Sequence, residues 1–227
     1  MPGIGLGPEA WLPTLRQLDR LGKRAVPHVL TLPGYGVPAR DEDDLRPEAL
    51  AERVHEAVHG GRDPAVLVGH SASCQVVVHV ARALPTQVRG VVLIGPTTDP
   101  RAATWPRLAA RWLATARHED PRQVPALARQ YRRTRLRSMW RAMDAARQDR
   151  IDVAIRSTGG DLLVLRGHHD RICPTDWAAE LARLARRTAG SDRSAAVTLP
   201  RGGHMVPLTR GRLVAAELMA FLCLEDG

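Results

Sequence analysis

Ser71 lies in Gly69-His70-Ser71-Ala72-Ser73, which directly follows the apolar run Ala65-Val66-Leu67-Val68 and precedes a helix-like stretch from Cys74 to Leu84. A serine on a sharp strand-to-helix turn has its hydroxyl pushed out of the sheet edge, and the N–H groups of the following helix point at whatever it attacks. A serine nucleophile needs a base to take its proton and a third group to orient that base. Downstream, the apolar run Asp161–Leu165 leads into Arg166-Gly167-His168-His169-Asp170, and a later run leads into Pro200-Arg201-Gly202-Gly203-His204. Asp170 and His204 are thus expected in loops at the C-terminal ends of strands, on the sheet edge that carries Ser71. Acyl chemistry also needs two N–H donors where negative charge develops. Ala72, at the helix start, offers one. Ile4, in the glycine-rich run Pro2-Gly3-Ile4-Gly5-Leu6-Gly7, offers the other.

Other readings compete at several positions. Asp99, after the run Val88–Ile94, is the alternative acid. His168 and His169 are read as shaping their loop or a pocket, and His70 as a packing or hydrogen-bonding residue. Ser71 could be no more than a helix N-cap. His55-Glu56-Ala57-Val58-His59 matches H-E-x-x-H, which on a helix puts two imidazoles on one face for zinc, with the glutamate as general base. That motif needs a third ligand. Gly60-Gly61 is expected to end the helix at once, and no glutamate occurs between Glu56 and Glu119. The core face Leu50/Val54/Val58 explains the helix without a metal.

The elements that must position these groups alternate between strand-like and helix-like. Val26–Leu32 reads as a strand ending at Pro33-Gly34-Tyr35-Gly36, Glu48–His59 as an amphipathic helix, and Ala65–Val68 and Val88–Ile94 as strands. Asp161–Leu165, helical Asp176–Arg187, the strand Ala195–Leu199 and the helix Arg212–Leu222 complete the series. Continuous Val/Ile/Leu runs of this kind indicate a mainly parallel, buried sheet in an α/β fold. Between Thr97 and Thr158 the alternation gives way to helical sequence rich in Arg and Ala, carrying Trp105, Trp112 and Trp140. Trp105 and Trp112 are seven residues apart, hence on one helical face. A helical insertion between two parallel strands sits at the edge where open α/β sheets bind ligands, so residues 98–157 are expected to form a lid whose tryptophans contact substrate or anchor the lid to the core.

Composition removes several classes of function. The chain has 227 residues, three cysteines without C-x-x-C spacing, and no apolar run approaching a membrane span. The first residues lack the pattern of a signal peptide, so a cytoplasmic protein without a membrane partner is expected. The formal charge of +9 is concentrated in residues 101–150, which hold 13 arginines against four acidic residues. Lys23 is the sole lysine. With no nucleic-acid-binding motif beside it, this charge reads as a solvated helical face rather than a phosphate-binding surface.

Taken together, Leu32-Pro33-Gly34-Tyr35-Gly36, Val68–Ser73, Val92-Leu93-Ile94-Gly95-Pro96, Gly167-His168-His169-Asp170 with Pro174, and Gly203-His204 resemble the α/β-hydrolase superfamily. The likeness spans essentially the whole chain and is greatest to lidded esterases and carbon–carbon bond hydrolases. It implies a parallel sheet flanked by helices, with a core of residues 1–97 and 158–227 and a lid of residues 98–157. It also implies Ser71, His204 and Asp170 as nucleophile, base and orienting acid, a small-molecule substrate and no cofactor. The expected function is cleavage of a carboxylic ester or related carbonyl compound. The alternatives are a noncatalytic ligand-binding protein on the same scaffold and the zinc peptidase. Two features depart from the family pattern. Ser73 replaces a glycine, and Met1-Pro2-Gly3 begins the chain at the oxyanion loop, without the strand that normally precedes it. The expectation is that the natural product starts about 20–30 residues upstream, a length sufficient for three strands and their turns.

Overall fold

A computed structural model describes residues 1–22, 26–59, 63–189 and 193–225. After a 3-10 turn over Pro8–Trp11, the chain forms α1 (Leu12–Arg20), the two-residue strands β1 (Leu32–Pro33) and β2 (Gly36–Val37), and α2 (Pro47–His59). It continues through β3 (Ala65–His70), α3 (Ser73–Ala83) and β4 (Val88–Ile94) into a wholly helical stretch. That stretch contains α4 (Trp105–Ala116), α5 (Val124–Thr134), α6 (Leu136–Gln148) and α7 (Ile151–Ala154). β5 (Asp161–Arg166), α8 (Thr175–Ala189), β6 (Ala195–Thr198), α9 (Val206–Thr209) and α10 (Gly211–Glu225) follow. The Gly60-Gly61 helix stop lies outside the described residues.

The four main strands pair in the order β3-β4-β5-β6, all parallel. Because side chains alternate across a strand, each strand serves two cores. Val91 and Leu93 of β4, with Leu162 and Val164 of β5, pack with α2, α3 and α8. Val92, Ile94, Leu163 and Leu165 pack on the opposite face with Val214, Leu218 and Phe221 of α10. The result is a parallel sheet with helices on both faces. Every described strand end carrying a candidate residue opens onto the same edge.

The expected strand Val26–Leu32 does not form. Residues 26–31 have no regular structure, and Val26 is exposed. A β-rich sequence becomes a strand only where a ladder partner satisfies its backbone, and this segment has none beside it. The outer side of β3 is met instead by Met1, whose N–H donates to Val68 O and whose carbonyl accepts from His70 N.

Two Asp-Pro-Arg turns shape the helical insertion. Asp99 accepts from Arg101 N and Asp120 from Arg122 N, each capping a 3-10 turn that begins with proline. No helix among the described residues is long and apolar enough to cross a membrane.

Candidate active site

The turn between β3 and α3 puts Ser71 in the left-handed region, φ 59°, an uncommon conformation for a residue with a side chain. The surroundings hold it there: Ser71 N donates to Ile94 O at 2.8 Å and Ser71 O accepts from Cys74 N at 3.1 Å. Ser73, in the position of the expected glycine, is fully buried. Its Oγ accepts from His70 N at 2.9 Å and lies 3.0 Å from Met1 O and 2.9 Å from His70 O, either of which can take its proton. The additional hydroxyl therefore has partners on both sides and links the start of the chain to the turn.

Asp170 and His204 meet across the gap between the loops after β5 and β6. His204 Nδ1 donates to Asp170 Oδ2 at 2.8 Å, and Asp170 Oδ1 accepts from the backbone N–H of Ile172 and Cys173 at 2.9 and 3.0 Å. Burial favours a neutral Asp170, but His204, those N–H groups and Arg166 outweigh it and hold the carboxyl below its usual range. Burial also disfavours charge on His204, yet Asp170 and then Glu119 reverse the balance and raise its pKa. Arg166, itself buried, fixes the acid loop by donating to Cys173 O at 2.7 Å and Asp170 O at 2.6 Å. Beneath the pair runs Gly95 at φ 56°, where a Cβ would sit 3.0 Å from both Asp170 Oδ2 and the His204 ring. Only glycine fits there.

The other ring nitrogen of His204, Nε2, is buried and has no hydrogen-bond partner among the described residues. His204 and Ser71 line one cavity of about 690 Å³. The His204 backbone is held from two sides. His70 Nε2 lies 3.0 Å from its carbonyl oxygen, and Glu119 Oε1 accepts from its N–H at 2.5 Å and from Met205 N at 3.0 Å. His70 is buried, and that burial, with His204 nearby, lowers its pKa to about 3. It is a neutral hydrogen-bonding residue.

Ile4 lines the same cavity, and Gly3 before it touches the turn so closely that a Cβ would lie 3.0 Å from Ser71 Cβ. Ala72 is fully buried at the start of α3. The Ile4 segment is fastened largely by the insertion. Gly7 N donates to Gln130 Oε1 at 2.8 Å, Thr134 Oγ1 donates to Gly5 O at 3.1 Å, and Arg133 pairs with Glu9 at 2.6 Å. Gly5 N donates to Gly34 O at 2.9 Å on the other side.

Trp105, Trp112 and Trp140 all line the cavity. Trp105 and Trp140 stack at 3.8 Å with an interplanar angle of 2°, and Trp112 lies 6.2 Å from the His204 ring. Met139, Met143 and Leu136 complete an apolar wall. The permanent charge on that lining, Arg137, pairs with Asp41 at 2.8 Å.

The remaining candidates lie apart from this constellation. Asp99 is taken by Arg101 and Arg111, each at 2.8 Å, and so does not orient His204. His169 stacks on His118 of the insertion at 4.3 Å, with His168 at its edge. Among the described residues His55 belongs to no cluster of three metal-ligating side chains, and the His59 side chain lies outside the described residues. Glu119 is the residue that sequence reasoning missed; nothing in its own segment marks it.

The alpha/beta hydrolase family model matches residues 1–217. No curated protein matches the chain. Among solved structures, a hydrolase from Oleispira antarctica superposes with a TM-score of 0.78 at 13% identity, covering 97% of this chain and 88% of that one. A lipase-esterase related protein from Clostridium acetobutylicum gives 0.71 at 11% identity, covering 97% and 92%. A meta-cleavage product hydrolase from Pseudomonas fluorescens gives 0.69 at 15% identity, covering 100% and 89%. At these identities the structures share a fold with this chain.

Proposed function

We propose that this chain, which belongs to the alpha/beta hydrolase family, is a serine hydrolase that cleaves carboxylic esters with a bulky, uncharged apolar group. One observation carries the reading: His204 is bonded through Nδ1 to Asp170, its buried Nε2 has no hydrogen-bond partner among the described residues, and His204 and Ser71 line one cavity. Nε2 takes the Ser71 proton as Oγ attacks the ester carbonyl, and Asp170 stabilises the imidazolium that results. The Ala72 and Ile4 N–H groups receive the oxyanion. Collapse of the tetrahedral intermediate expels the alkoxide, which takes the proton from His204 and leaves as the alcohol. Water then attacks the acyl-enzyme, giving its proton to His204, and Ser71 recovers a proton as the acid departs.

The lining supports this substrate class. Three tryptophans, two methionines and Leu136 favour aromatic or branched aliphatic bulk. Arg137, the permanently charged side chain on that lining, is 75% exposed and adds little charge to the apolar wall. The insertion acts as the lid and sets this preference. The reading also carries a cytoplasmic protein that needs no cofactor.

A fluorophosphonate probe tests the proposal. It is expected to label the wild type and not Ser71→Ala. A folded wild type that stays unlabelled, or equal labelling of both proteins, defeats it.

A further inference from the structure

A second constellation lies on the other side of the nucleophile helix. His79 of α3, Asp149 just after α6 and Glu48 in the first turn of α2 converge from three segments distant in sequence. His79 Nε2 is 2.9 Å from Asp149 Oδ1 and 3.5 Å from Glu48 Oε1, and the three donor atoms lie within 4.8 Å of one another. The side chains of His79 and Asp149 are 6% and 3% exposed, whereas that of Glu48 is 57% exposed. Two carboxylates therefore face one imidazole nitrogen, whose single N–H can serve only one of them well. Moreover, Asp149 Oδ2 is buried without a hydrogen-bond partner among the described residues, and a buried carboxylate oxygen left unsatisfied is costly. The adjacent guanidinium groups are engaged elsewhere, Arg147 with Asp144 and Arg150 with Asp152.

We propose that His79, Asp149 and Glu48 form a binding site for a divalent transition-metal cation, with zinc the best match. Zinc bonds to nitrogen and oxygen run about 2.0–2.2 Å, so tetrahedral coordination separates donor atoms by about 3.4 Å. The observed 2.9 and 3.5 Å bracket that spacing. An imidazole donor with two carboxylates suits zinc better than the oxygen-seeking magnesium or calcium. The exposure of Glu48 leaves an approach from solvent and room for water in the fourth position. That approach opens on a groove of about 1430 Å³ where Arg53 and Arg46 pair with Asp43 and Asp44 but the lining keeps an acidic excess that includes Glu52 and Glu56. Acidic walls concentrate cations there on a chain whose net charge is positive. Binding selects the neutral imidazole tautomer whose proton sits on Nδ1, leaving the Nε2 lone pair for the cation. The bound cation would pin the end of the insertion to α2 and α3. The inference does not depend on the role assigned to Ser71.

The test is calorimetric titration of the chelator-treated full chain with zinc chloride, with melting temperature followed in parallel. The expected result is one equivalent of zinc bound and a raised melting temperature. His79→Gln and Asp149→Asn should each weaken binding at least tenfold. Glu48→Gln, a change at an exposed side chain that leaves packing untouched, should weaken it several-fold even if the buried variants fail to fold. A His55→Gln/His59→Gln double variant should bind as wild type. Absence of stoichiometric uptake, full affinity in Glu48→Gln, loss of binding in the His55/His59 variant instead, or displacement of zinc by an equal concentration of calcium would each overturn the assignment.

Discussion

Glu119, on the helical insertion, holds the backbone of His204. Its Oε1 accepts the N–H of His204 and of Met205, while Oε2 accepts from Gln123 Nε2 at 3.0 Å. The candidate base thus answers to three neighbours: Asp170 on its ring, His70 at its carbonyl and Glu119 at its N–H.

Glu119→Gln keeps a hydrogen-bond acceptor but removes the charge that helps raise the His204 pKa. The base works in its neutral form, so activity is lost as pH falls through that pKa. Without Glu119 the imidazolium is less favoured, and the acidic limb of the kcat/KM profile should move to lower pH. Glu119→Ala should in addition reduce kcat/KM about 10- to 100-fold, as expected for losing a charged hydrogen bond worth about 1.5–3 kcal/mol. An unshifted acidic limb in the Gln variant would remove Glu119 from the electrostatics of the site.

Ser73→Ala strips the hydroxyl that serves His70 N and reaches Met1 O. It should lower stability by about 1 kcal/mol, measured as a shift in urea midpoint at constant slope. The Ser71 turn is independently bonded to Ile94 and Cys74, so fluorophosphonate labelling should persist.

Trp140→Ala removes one face of the stacked pair with Trp105. For aryl esters KM should rise roughly threefold to tenfold, in keeping with a ring pair worth about 0.5–1.5 kcal/mol. For acetate esters of small alcohols it should stay near wild type. Equal effects on both substrates would place the ring outside the binding surface.

Asp170 and His204 shift stability with pH in opposite senses. The folded pKa of Asp170 lies below its ordinary 3.8, so its contribution is present above that value and fades as pH falls through the folded pKa. That of His204 lies above its ordinary 6.5, so its contribution is full below 6.5 and fades as pH rises through the folded pKa. Denaturation midpoints from pH 2 to pH 9 should show both slopes in wild type, and Asp170→Asn should flatten both.

Much of the candidate site was legible because Ser71, Asp170 and His204 each lie within a few residues of the end of an apolar run, and a parallel sheet brings all such loops to one edge. Trp105 and Trp112 were legible through helical spacing. Glu119 was not, because its role depends on how the insertion docks, a through-space fact with no local pattern. Val26–Leu32 misled for a related reason: β-propensity describes a residue, whereas a strand requires a neighbour. The arginine-rich stretch read as a solvated face, yet Arg133 reaches Glu9 and Arg141 donates to the carbonyls of Arg40, Asp41 and Asp43. Composition reports the charge and not its partners.

The ties from Gln130, Thr134 and Arg133 to residues 5–9 make the insertion a foundation as well as a ceiling. The peptide of Ile4 adjoins a segment that the helices of the insertion hold in place. Exchanging those helices for another set would therefore not transplant selectivity alone. Under the proposed mechanism it would also loosen the segment assigned to the developing negative charge, so chemical rate and substrate choice would change together.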